Sequence, residues 1–90
     1  MLLVLPNELT HSQAGACLRM LVQGLRNHHE VEVVVDATGL DRFDSAALAV
    51  LLEARRESLA LGKRFSIRGL PQRLRDLAGL YGIVELLSAQ

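Results

Sequence analysis

Val31-Glu32-Val33-Val34-Val35-Asp36-Ala37 is the most β-branched stretch of a 90-residue chain, and its reading decides the fold. Three successive valines suit a pleated, packed surface, and their unbroken run predicts a central strand covered on both faces rather than one of alternating exposure. Working outward, Leu2-Leu3-Val4-Leu5 is a second apolar run of strand length, expected to be covered on at least part of both faces. Between the two, Thr10 and Gln13 have capping-box spacing, and Ala14, Leu18, Leu21, Val22 and Leu25 recur at helical intervals. A helix is expected to run from there to near Asn27. On the other side, Thr38 to Asp44 is a polar connection containing Gly39. Leu48, Leu51, Leu52 and Leu59 then resume a helical period up to Gly62, a natural C-cap.

Phe65 and Ile67 alternate with Arg64, Ser66 and Arg68, which predicts a third strand with one dry and one wet face near a sheet edge. Pro71 suits a first helical turn, Leu70, Leu74, Leu77 and Tyr81 step by four, three and four, and Gly79 or Gly82 can end that helix. Leu48, Leu51, Leu52, Leu74 and Leu77 are the expected core leucines. Ile83 to Leu87 fits a strand or a helical turn equally well. Strand and helix alternating with short links imply an α/β fold of mostly parallel strands joined by right-handed crossover helices. No repeat or linker divides the chain, so residues 1–90 read as one domain.

Composition narrows the function classes. Ten basic and ten acidic residues cancel, so no global field draws the chain to nucleic acid or to an anionic membrane. Half of the residues are apolar, which excludes disorder. The single cysteine, Cys17, points to a reducing, intracellular setting and to a packing role rather than a nucleophile. Leu2 to Leu5 has no basic flank and stops at Pro6-Asn7-Glu8, too short for a signal-peptide core or a membrane span.

Catalytic and cofactor motifs are not found: no glycine-rich phosphate loop, no nucleophile elbow and no helical His pair beside a Glu. His28 and His29 diverge as neighbours must, which suits a solvated helix end better than a metal site. Lys63, Arg64, Arg68, Arg73 and Arg75 against Asp76 make a basic stretch, expected to be the solvent side of an edge strand and helix, since no aromatic is interleaved for base stacking. No cofactor, no metal, no nucleic-acid partner and no enzyme activity are expected.

One constellation remains: Asp41-Arg42-Phe43-Asp44-Ser45-Ala46-Ala47-Leu48-Ala49-Val50-Leu51-Leu52, where a buried strand leads through a short loop to a serine at a helix start. Free backbone N–H groups and the positive end of the helix dipole there would stabilise the Asp44 carboxylate or a phosphate on Ser45. Serine and aspartate are also the ordinary N-cap residues, which needs no further function.

The strand Val33 to Ala37, the Phe43-Asp44-Ser45 turn with its apolar helix Leu48 to Leu52, Gly62, the Phe65-Ser66-Ile67 strand and Leu77 to Ile83 together resemble the STAS domain family, over nearly the whole chain. The opening, Leu3 to Thr10, is similar to the family's second strand entering its first helix. The resemblance therefore implies that the usual first strand is missing and a sheet edge exposed. In anti-sigma factor antagonists of this family a partner kinase phosphorylates the serine of an Asp-Ser-Ser-Gly motif. Here Asp44 and Ser45 match, while Ala46 and Ala47 replace the second serine and the glycine, which weakens the case for a kinase switch.

The leucine-rich helix and the Leu77-Ala78-Gly79-Leu80-Tyr81-Gly82-Ile83 ending are most similar to the small cytoplasmic STAS subunit of the Mla phospholipid ABC transporter. That resemblance implies a non-catalytic accessory subunit that binds and supports the transporter's ATPase subunit. It would be cytoplasmic, peripheral at the inner membrane through its complex and without direct membrane insertion. The implied interface comprises Asp44, Ser45, Ala46, Ala49 and Glu53. The alternative is an anti-sigma factor antagonist, bound by an anti-sigma factor kinase and regulated by phosphorylation of Ser45.

Overall fold

A computed structural model describes residues 1–87. In chain order the elements are β1 (Leu2–Val4), β2 (Glu8–Leu9), α1 (His11–Asn27), β3 (Glu32–Asp36), β4 (Arg42–Phe43), α2 (Ala46–Ala60), β5 (Arg64–Arg68) and α3 (Gln72–Leu80), followed by a 3₁₀ turn at Val84–Leu87. The valine-rich segment is the central strand: the main sheet has the order β1-β3-β5, parallel throughout. Leu3 lies opposite Val35, which in turn lies opposite Ile67, and Val33 lies opposite Phe65. Because side chains alternate along a strand, these five share one face.

That face is the drier one, and the opposite face is open at β1 but covered at Ser66 of β5. Val33 and Val35 are 1% and 0% exposed, whereas Leu2 and Val4 on the other face of β1 are 49% and 58% exposed. Val34 is half-buried. The expectation of strands covered on both faces is therefore corrected: β3 alternates, and β1 is open on one side. The physical reason is where the helices lie. α1 crosses the dry face so closely that a Cβ on Gly24 would stand 3.1 Å from Leu3 Cδ2, while α2 packs on β5 and against α1. Among the described residues, β1 and β5 are the two edges of this sheet.

α1 begins where the capping spacing placed it. Gln13 Oε1 accepts the Thr10 backbone N–H at 2.9 Å and the Thr10 hydroxyl at 2.6 Å. It ends at Asn27, where His28 Nδ1–H donates to the Gly24 carbonyl at 2.7 Å, a polar helix end. Gly62 and Gly82, at φ +75° and +70°, end α2 and α3. Lys63 N–H reaches Ser58 O, and Ile83 N–H reaches Ala78 O, the closing bonds that a left-handed glycine permits. Gly79 lies inside α3, and Pro71 stands just ahead of its first turn. The undecided segment becomes the 3₁₀ turn, with Leu87 buried.

Several side chains depart from their expected places. Leu48, Leu51 and Leu74 are buried, but Leu52 and Leu77 are half-buried, and Leu59 and Tyr81 are exposed. On α2 the buried stripe runs through Leu48, Leu51, Ala54 and Ser58, which leaves Leu59 off its edge. On α3 the buried position one turn after Leu74 is Ala78. Ser66, on the strand face expected to be wet, is buried, as is Lys63, whose ammonium donates to the carbonyls of His28 at 2.9 Å and Glu30 at 2.6 Å. Lys63 thus satisfies backbone acceptors in the connection after α1 rather than facing solvent.

Leu51 is fully buried at the centre of α2. Leu51→Ala is expected to destabilise the chain by about 2 to 5 kcal/mol through lost transfer energy and a residual cavity, read as a fall in the urea midpoint with unchanged slope.

Candidate functional site

Two strands of two residues each, unmarked in the sequence, position the site. β2 and β4 pair in parallel, Glu8 opposite Arg42 and Leu9 opposite Phe43, and the Asn7 carbonyl accepts the N–H groups of Asp41 and Arg42 at 2.8 and 2.9 Å. Leu9 is fully buried beneath this pairing. The consequence is that Thr10-His11, where α1 starts, stands beside Asp44-Ser45-Ala46, where α2 starts.

Asp44 joins them. Its Oδ1 accepts the Ala46 N–H at 2.8 Å and its Oδ2 accepts the His11 N–H at 3.1 Å, so one carboxylate serves the first turns of two helices. Ser45 occupies the position before α2 with helical dihedrals, φ −63° and ψ −18°, and its side chain makes no capping bond. Asp44 is therefore the cap, and Ser45 is left exposed with its hydroxyl unused by the helix.

Downstream of this junction the two helices enclose an open groove of about 500 Å³ lined by His11, Ala14, Gly15 and Leu18 of α1 and by Ala46, Ala49, Val50 and Glu53 of α2. Of the five residues singled out in the sequence, Ala46, Ala49 and Glu53 line it, Asp44 pins its end, and Ser45 adjoins Ala46 there. The α1 half was missed. Ala14 and Leu18 carried a helical period and were expected to face the core, but both are half-buried. Nothing in the sequence places His11 next to Asp44, because that contact depends on the β2–β4 pairing.

The carboxylates around the groove have partners. The Arg56 guanidinium donates to both carboxylate oxygens of Glu53, with Nε 3.1 Å from Oε1, and holds that carboxyl below its ordinary value. Farther along, Arg26 of α1 meets Glu57 of α2 at 3.4 Å. The basic stretch expected on the solvent side is likewise dispersed. Lys63 is buried, Arg64 pairs with Glu32, Arg68 pairs with Asp36 at 2.9 Å, and the Arg73 guanidinium lies 5.1 Å above the Phe43 ring. Among the described residues only Arg75 of that group lacks such a partner.

At the C-terminal ends of β3 and β5, Asp36 accepts from the Thr38 hydroxyl, from the Thr38 N–H at 2.9 Å and from Arg68, and these bonds hold its carboxyl at about 2. Gly69, at φ +71°, closes the same corner: a Cβ there would come within 2.2 Å of Thr38 Oγ1. Cys17 is buried, and burial pushes its thiol pKa up, away from thiolate chemistry. Among the described residues no group of three metal-ligating side chains converges, and no helix is long and apolar enough to cross a membrane.

A protein-family model described as Mlab, STAS domain matches residues 1–88. No curated protein matches the chain.

Two outcomes follow from this geometry. Removing the shared cap in Asp44→Ala is expected to cost about 1 to 2 kcal/mol, with Asp44→Asn closer to the parent, as read by denaturant melts. The Asp36 carboxyl is lower in the folded chain, at about 2, than the value of about 3.9 usual for an exposed aspartate, so its ionised form favours the folded state. Its contribution is present above about pH 4 and lost as the pH falls toward about 2. Asp36→Asn should flatten the fall in melting temperature across that window, while the parent chain keeps its acid sensitivity.

Proposed function

The chain belongs to the STAS domain family, and on that footing we propose that it is a non-catalytic accessory subunit of an Mla-type ABC transporter. In this reading it binds and supports the ATPase subunit, and so serves phospholipid trafficking and outer-membrane lipid asymmetry. It acts in the cytoplasm, peripheral at the inner membrane through its complex. The observation that carries the reading is the start of α2. Ser45 and Ala49 are exposed there at a groove whose lining includes the small residues Ala14, Gly15 and Ala46, and the neighbouring carboxylates of Asp44 and Glu53 already have donors. A partner can approach the backbone closely at such a surface without stranding either carboxylate.

An anti-sigma factor antagonist is the second reading. It is favoured by one feature, the exposed Ser45 hydroxyl that the helix does not use. Its partner would be a histidine-kinase-like anti-sigma factor, and a phosphate on Ser45 would add nearly two negative charges to the contact. Affinity capture with the tagged chain from its native cells separates the two: recovery of ABC transporter subunits supports the first, and recovery of a kinase with a sigma-factor regulator supports the second.

The interface is tested at Ser45. Ser45→Arg and Ser45→Glu should weaken binding to the ATPase subunit by about 2 to 4 kcal/mol, because each places an unpaired charge in a desolvated contact. Ser45→Thr should be tolerated, since it keeps the hydroxyl and adds a methyl. Circular dichroism and melting should be unchanged in all three. Parent-like affinity in Ser45→Arg removes Ser45 from the interface, and loss of folding in that variant makes it a structural residue instead.

A further inference from the structure

We draw no further inference here: the strongest candidate, the exposed apolar surface patch of Leu80 and Tyr81 at the C-terminal end of α3 beside Phe43 and Arg73, is an unpartnered face, and nothing in the structure shows what covers it.

Discussion

Val33 and Val35 leave β3 with one face that must stay dry, and the placement of the other elements follows from covering it. β1 and β5 flank β3 in parallel, so each passage between neighbouring strands needs a crossover, supplied by α1 and then α2. A helix that follows a parallel strand starts near the C-terminal end of that strand. The topology therefore brings the N-termini of α1 and α2 to the same end of the sheet. Each carries roughly half a unit of positive charge and a set of N–H groups without intrahelical acceptors. Two such ends side by side repel each other mildly and call for an acceptor between them.

Asp44 meets that need with one carboxylate, and in doing so sets the character of the site. Its two oxygens take one N–H from each helix, so the oxygen acceptor that either start would seek is already in place. A phosphate on Ser45 would enter a turn whose Ala46 N–H is engaged and whose nearest carboxylate has the same sign of charge. The electrostatic gain open to it is smaller than at an uncapped helix start. The arrangement is thus better suited to close, largely apolar contact than to holding an anion. Such a surface fits the proposed transporter role better than the phosphorylation switch.

What the sequence revealed divides along physical lines. The helices were legible because apolar residues at three- and four-residue intervals have no other economical arrangement, and Thr10 with Gln13 marked the start of α1. The parallel sheet and the valine-rich central strand were legible from β-branched content and alternation of elements. The exposure of Leu2 and Val4 was not, because an apolar run reports composition and not which side a helix will cover. Lys63 was read as solvated because its charge is local information, whereas the carbonyls that bind it belong to His28 and Glu30, more than thirty residues away in sequence. β2 and β4, with two residues each, are too short to show any period.

The same limit explains why half of the candidate site was hidden and the other half was not. Asp44, Ser45, Ala46 and Ala49 are contiguous or one turn apart, so their chemistry was visible as a motif. His11, Ala14, Gly15 and Leu18 join them only through packing. The ion pairs along these two helices, Arg26 with Glu57 and Glu53 with Arg56, are solvent-facing, and such pairs contribute about 0 to 1 kcal/mol each. They are too weak to set the distance between the helices. Burial of Leu21, Leu25, Leu48 and Leu51 in the common core supplies far more, at about 1.5 to 3 kcal/mol per large apolar side chain. The shape of the groove is therefore a property of the core beneath it. Substitutions on its exposed rim change the chemistry of its surface, while substitutions below it change whether the rim exists.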